Sequence, residues 1–171
     1  MTTKAASSRL SLILAITTLA MPLSPSQAPN GTSQLIGTWK VIAAVSEEIP
    51  SGNKTDVYGP DPSGYLMYGA DGRMMALIVR GNRKKPMGAV PTMSEAETLF
   101  RGMLSYTGTY TVKGNEVIHH VDASWNEAWT GTDQMRLFNL EGTRLTISTE
   151  QSSDPFNGKV SVRRLVFEKV K

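Results

Sequence analysis

Gly37-Thr38-Trp39-Lys40-Val41-Ile42-Ala43-Ala44-Val45 is the stretch on which the fold turns. It alternates as a strand does, and at its head a glycine stands two residues before a tryptophan. In a small β-barrel an indole at that place plugs the floor, while the glycine lets the chain cross beneath it. Everything above such a plug is a potential cavity. Taken alone, Trp39 reads equally as a large core residue near a strand start, so the remaining segments must decide.

Those segments come as strand after strand. Counting from Gln34–Val45, the period-two runs are Gly64–Tyr68, Arg73–Arg80, Tyr106–Lys113, Glu116–Ser124, Thr132–Leu140, Arg144–Thr149 and Val160–Val170. Asp71-Gly72, Gly114-Asn115 and Glu141-Gly142 separate neighbouring runs, and Asp-Gly signals a tight hairpin because both residues tolerate positive φ. Residues 47–62 read as a polar loop rich in Gly, Pro, Asn and Asp. Ser94-Glu95-Ala96-Glu97 reads as a capping box that leads a short helix and turns Leu99, Phe100, Met103 and Leu104 inward. The expectation is an all-β, eight-stranded antiparallel up-and-down barrel with one short helix between strands three and four. Eight strands just enclose a small ligand when the barrel closes; a two-sheet sandwich of the same strands stays open as an alternative.

Residues 1–28 stand apart from that domain. Lys4 and Arg9 precede an apolar run from Leu10 to Leu19 and a tail rich in Ser, Pro, Gln and Ala, the layout of a secretory signal peptide. The run is about ten residues, short of the roughly twenty that span a bilayer. Export to the periplasm or the exterior is expected, without a transmembrane anchor, with cleavage after Ala20 or Ala28 and the barrel domain over residues 34–171. A cytoplasmic protein with a disordered N-terminal tail is the competing reading. The chain has no cysteine, so disulfides, a thiolate nucleophile and Cys-bound zinc are excluded. Without Lys4 and Arg9, 16 basic residues face 15 acidic ones, a balance that gives no reason to expect a nucleic-acid partner. The cluster Arg83-Lys84-Lys85 carries no interleaved aromatics and reads as a solvated loop.

Several runs together resemble the lipocalin-like domain family of small bacterial and fungal proteins. They are Gly37-Thr38-Trp39, Tyr58-Gly59-Pro60-Asp61-Pro62-Ser63-Gly64 through Tyr68, Asp71-Gly72-Arg73-Met74, Gly108-Thr109-Tyr110, His119-His120, and Trp129 through Arg136. The resemblance covers nearly all of the chain after the leader. It implies a calycin-type barrel with an internal pocket, in a family whose ligands and activities are mostly unassigned. The chain is also similar to true lipocalins in its Gly-x-Trp, its Thr132-Asp133 pair and basic residues in the last strand, where an arginine can lie over the tryptophan. It departs from them in having its helix mid-chain and in placing Thr132-Asp133 at the start of strand six. Fold and plug, Gly37 with Trp39, carry over; a ligand does not.

Alternation proposes which side chains look inward. On strand five Val117, His119 and Val121 share one face, and the other bears His120 and Asp122, so His119 is expected inside. On strand six Asp133 and Asn139 mark the outer face, which leaves Gln134 and Arg136 inside. A guanidinium buried there needs an anion or several acceptors, such as a carboxylate, an enolate or a polarised carbonyl. With reversed parity Arg136 is an outer-face ion-pair partner. Tyr110 shares the inner face of strand four, and Tyr68, Trp125 and Trp129 fall near strand ends where a mouth is expected. Seven methionines after the leader suit an adaptable apolar pocket.

Adjacent histidines on a strand point to opposite faces and the chain has no third, so neither a metal site nor a cofactor is expected. No Gly-x-Ser-x-Gly elbow is present. The expected function is binding or carriage of a small, mostly apolar molecule with a polar or anionic group. His119, Gln134 and Arg136 are its polar contacts, and Tyr110, Tyr68, Trp125 and Trp129 its aromatic ones. The alternative is an isomerase, cyclase or dehydratase acting on a small carbonyl compound, a chemistry found in related barrels. His119 then moves a proton while Arg136 and Gln134 hold an enolate.

Overall fold

The computed structural model describes residues 30–153 and 158–171, and the expected leader lies outside them. In chain order the elements are α1 (Asn30–Leu35), β1 (Gly37–Ile49), β2 (Lys54–Asp56), β3 (Ser63–Tyr68), β4 (Arg73–Val79) and α2 (Met93–Arg101). They continue with β5 (Met103–Lys113), β6 (Glu116–Ser124), a 3-10 turn at Glu127–Trp129, β7 (Asp133–Glu141), β8 (Arg144–Ser148), β9 (Ser152–Ser153) and β10 (Val160–Lys169). The strands hydrogen-bond in the order β2-β1-β3-β4-β5-β6-β7-β8-β10-β9, and β1 also pairs with β10. That last pairing, Trp39 opposite Lys169 through Ile49 opposite Val160, joins the sheet to itself and removes the sandwich alternative. The closed wall is eight antiparallel strands, with β2 and β9 as short additions, and α2 joins the third wall strand to the fourth, as expected.

The floor is built around Trp39, which is fully buried. Its Nε1 donates to the Leu35 carbonyl oxygen at 2.7 Å, so the segment before β1 is held beneath the barrel as α1. The expected first strand from Gln34 is therefore helical up to Leu35, itself fully buried under the indole. Gly37, at φ +135°, makes the sharp passage from that helix into β1. The cation over Trp39 is Lys169, with Nζ 4.9 Å from the ring centre, rather than an arginine.

Two bulges set which residues meet inside. One lies between Val41 and Ala43 and shifts the alternation of β1, so that Ala44 follows Trp39 and Val41 into the core. β1 then runs to Ile49, and β2 pairs back on it, which makes a hairpin of part of the expected loop. The second interrupts the β5–β6 register between Thr107 and Gly108. There the backbones come so close that a Cβ on Gly108 would stand 1.9 Å from the His120 carbonyl oxygen.

The helix α2 departs from its expected frame by two residues. Thr92 is the N-cap, and Thr92 with Glu95 forms the capping box expected of Ser94 with Glu97. Nor does it drive four side chains inward: it has no buried residue, Phe100 is 52% exposed, and Met103 and Leu104 belong to β5. The strands already fill the interior, so α2 lies outside the wall near the end opposite Trp39. Among the described residues no helix is long and apolar enough to cross a membrane.

Candidate functional site

Above the floor, the barrel encloses a hollow of about 50 Å³. Leu66, Ala76 and Ile78 line it from β3 and β4, and Ile147, Leu165 and Phe167 from β8 and β10. These are inward positions of alternating strands, and their side chains leave only a narrow space. The polar part of the lining is Tyr106, His119 and Arg136, with Tyr58, Thr149 and Arg163 toward the open end. Among the described residues no Asp or Glu occurs in the lining.

His119 on β6 is 1% exposed and sits between two phenols. Tyr68 Oη is 2.7 Å from its Nε2 and Tyr106 Oη is 2.8 Å from its Nδ1. Burial, reinforced by the nearby Arg136 charge and by His120, pushes its pKa down to about 3, so the imidazole is neutral at ordinary pH. A neutral imidazole has one donor and one acceptor. Tyr68, buried and not part of the hollow's lining, has His119 as its one hydrogen-bond partner among the described residues, so its hydroxyl donates to Nε2. Nδ1–H then donates to Tyr106, and the hydrogen of Tyr106 is left to point into the hollow that this residue lines. These roles follow from satisfying each buried group. Burial raises the Tyr106 pKa to about 12 and lifts Tyr68 well above the ordinary phenol range, so both remain protonated donors.

Arg136 enters from β7, which shows the expected parity: Gln134, Arg136, Phe138 and Leu140 are half-buried, while Asp133, Met135, Leu137 and Asn139 are exposed. Its guanidinium donates to Gln134 Oε1 at 3.1 Å and to the Met135 carbonyl oxygen at 2.7 Å, and lies 5.7 Å from the centre of the Trp129 ring. Among the described residues no carboxylate pairs with it. Gln134 in turn donates to Thr132 Oγ1 at 2.9 Å; it orients the arginine and does not line the hollow.

The aromatic residues divide differently from expectation. Trp129 lines the hollow and stacks edge-on with Tyr106 and with Trp125, at ring separations of 5.6 and 5.0 Å. Trp125 supports Trp129 from behind. Tyr68 is at the floor end, not the mouth, because β3 runs downward and pairs Tyr68 with Gly37. Tyr110 packs on Tyr68 at 4.7 Å and donates to the Gly69 carbonyl oxygen, away from the hollow. Among the described residues no methionine lines the space: Met74 is core, and Met67, Met75 and Met135 face out of the wall. Tyr106, Tyr58 and Arg163 also line the space, beyond the residues that the alternation argument names. Tyr106 shares the strand face of Tyr110, and Arg163 that of Phe167, so the pattern contained both; Tyr58 comes from the loop after β2.

His120, the neighbour of His119, is on the outer face, 2.7 Å from an Asp133 carboxylate oxygen and 3.1 Å from Thr111 Oγ1. Among the described residues no group of three or more His, Asp or Glu is arranged to hold a metal ion.

A closed eight-stranded antiparallel barrel, plugged by an indole and carrying a small polar cluster inside, is the architecture of a calycin-type barrel. The chain belongs to the lipocalin-like domain family, whose model matches residues 36–170. Among solved structures it is similar to a lipocalin-like protein from Bacteroides uniformis, at 15% identity over 80% of this chain and 98% of that one, with a TM-score of 0.43. It is also similar to an uncharacterized protein from Bacteroides eggerthii, at 15% identity over 80% and 99% of the two chains, with a TM-score of 0.40. No curated protein matches the chain.

Proposed function

We propose that this protein binds a small, largely apolar molecule through a carbonyl or carboxylate group that meets Arg136 and Tyr106 inside the barrel. The observation that carries this is the polarity of the hollow: among the described residues two guanidinium groups, Arg136 and Arg163, and the Tyr106 phenol line it and no carboxylate does, while much of the remaining wall is apolar. A cation whose hydrogen-bond acceptors are all neutral favours a ligand that brings a charged or strongly polar acceptor. Compared with the expected trio, Tyr106 takes the contact assigned to His119, whose two nitrogens are already occupied, and Gln134 positions Arg136. The hollow is far smaller than the roughly 300–1,000 Å³ of pockets for drug-sized molecules. The ligand is therefore compact, or only the end of a longer chain enters.

The alternative, acid–base catalysis on a carbonyl compound, draws support from the Tyr68–His119–Tyr106 chain, in which Tyr106 could present a proton to an oxygen. A general base works best with a pKa near the operating pH. His119, pushed down to about 3, is far from that, which favours binding over turnover. Export guided by the leader, with Lys4, Arg9 and the apolar run as its support, is part of the same proposal; the mass of the secreted chain tests it and distinguishes cleavage after Ala20 from cleavage after Ala28.

Trp129, beside the hollow, supplies the readout for the ligand. Its fluorescence is titrated with linear carboxylates of increasing length and with the matching alcohols. The expected result is saturable binding that prefers the carboxylates, with the preference lost in Arg136→Met. Equal response to acids and alcohols, or none to either, would discard the proposal. Turnover of a carbonyl compound abolished by Tyr106→Phe with binding retained would favour the enzyme instead.

A further inference from the structure

We infer that the segment between β4 and β5 docks the open end of the barrel onto an anionic lipid bilayer. Three side chains in it stand almost wholly in solvent: Met87 at 99%, Val90 at 83% and Met93 at 90% exposure. Every other large apolar side chain with substantial exposure among the described residues shows 52% or less, Phe100 of α2 being the highest. Single exposed apolar residues are ordinary, whereas a cluster this exposed marks an interaction surface. Pro86 and Pro91 bracket the Met87–Val90 tip and limit its freedom to fold back.

Charge selects the partner. Residues 80–101 contain five basic side chains, Arg80, Arg83, Lys84, Lys85 and Arg101, against two acidic ones, Glu95 and Glu97. Both acids are engaged locally: Glu95 accepts from the Thr92 and Met87 backbone N–H groups, and Glu97 pairs with Arg101. Among the described residues no carboxylate pairs with Arg83, Lys84 or Lys85; Arg83 donates to the Leu99 carbonyl oxygen, which holds the loop against α2. Together with Met87 and Leu99, these three cations line a groove of about 580 Å³ between the loop and the helix.

Cations backing a projecting apolar tip match an anionic interface, where the tips enter the acyl boundary and the ammonium and guanidinium groups meet phosphates. A nucleic acid would satisfy the charge but leave Met87, Val90 and Met93 in water, and the cluster has no aromatic for a base to stack on. The segment joins the upper ends of β4 and β5, opposite the Trp39 floor, so docking would bring the mouth of the hollow to the membrane. The inference does not depend on the ligand proposed above.

Sedimentation of the folded full chain with phosphatidylcholine vesicles, with and without phosphatidylglycerol, tests it. Binding is expected to require phosphatidylglycerol and to weaken with added salt. Replacing Arg83, Lys84 and Lys85 together by serine should weaken binding roughly a hundredfold. Replacing Met87, Val90 and Met93 by serine should weaken it at least about tenfold. None of the six is buried, and an unchanged near-ultraviolet circular dichroism spectrum confirms the fold of each variant. A peptide of residues 1–28, sedimented with the same vesicles, gives the leader's own contribution, above which the binding of the loop is read. No binding to the anionic vesicles, or an apolar-tip variant or a basic-cluster variant that binds like the parent, would overturn the inference.

Discussion

The two ends of this barrel follow opposite rules. At the floor, apolar surface is buried completely and each polar atom meets a partner in the protein: the Trp39 indole donates to Leu35, Tyr110 donates to Gly69, and Lys169 covers the ring. Toward the mouth, Arg136 lies among neutral acceptors and Tyr106 turns a hydroxyl hydrogen into a hollow. The floor has spent its polar groups on stability; the upper half holds some unspent. Substitutions at the floor should therefore cost folding, and substitutions above it should cost binding.

The largest effect is expected at the plug. Trp39→Ala removes a fully buried indole together with its hydrogen bond and leaves Leu35 without a roof. A loss of about 3–5 kcal/mol in urea-unfolding stability is expected. A loss below about 1 kcal/mol would mean that the floor is not the rigid end and would break the comparison.

Acid provides the next test, because His119 belongs to both halves. Its pKa falls from about 6.5 in the unfolded chain to about 3 in the fold, so the unfolded state binds the extra proton first as pH drops. Its contribution is complete above about pH 6.5 and declines toward about pH 3, by roughly 3 kcal/mol between pH 7 and pH 4. Stability of the parent and of His119→Gln, measured at both pH values, isolates it from the carboxylates. Equal loss in the two proteins would show that the buried imidazole is not a source of the acid sensitivity.

The two phenols of His119 sharpen the contrast within a single residue. Tyr68→Phe strands Nε2 in a dry place and should cost about 1–3 kcal/mol. Tyr106→Phe leaves Nδ1–H at the edge of the hollow, where a water can replace the lost oxygen, and about 1 kcal/mol or less is expected. Thermal or urea unfolding of the pair decides; the reverse order would reverse the assigned tautomer and point the spare hydrogen at the floor.

How much of this was legible in the sequence depended on how local the determinant was. The inward parity of His119 and Arg136 could be read because a strand repeats every two residues and Asp122, Asp133 and Asn139 mark the wet face. Parity says nothing about depth along the barrel, so the sequence pattern puts Tyr68 at the mouth although β3 ends at the floor, and it favours Tyr110 over Tyr106 on the same face. The bulge after Val41 left no mark in the alternation. Gly108 was visible, but that it admits the His120 carbonyl, and so seats His119 against Tyr106, depends on a neighbouring strand. Thr92 and Ser94 are both acceptable N-caps with a glutamate three residues on, and Met87, whose backbone N–H also donates to Glu95, helps decide between them. Tyr58 reaches the hollow from a loop, where no period applies.

The smallest effect on folding is expected where the proposed chemistry is strongest. Arg136 holds its charge against Trp129, Gln134 and one carbonyl with no anion among the described residues beside it, so its removal takes away a desolvation cost along with two hydrogen bonds. Methionine keeps most of the side-chain length and suits the apolar part of the wall, and replacing a partly buried charge that has no opposite charge beside it by an apolar side chain is often neutral or favourable. Arg136→Met should therefore leave stability within about 1 kcal/mol of the parent while abolishing the preference for carboxylates. A structural arginine would behave oppositely, with a clear loss in unfolding free energy and an unchanged ligand response. The two measurements on this one variant thus separate a side chain that holds the barrel together from one kept for a guest.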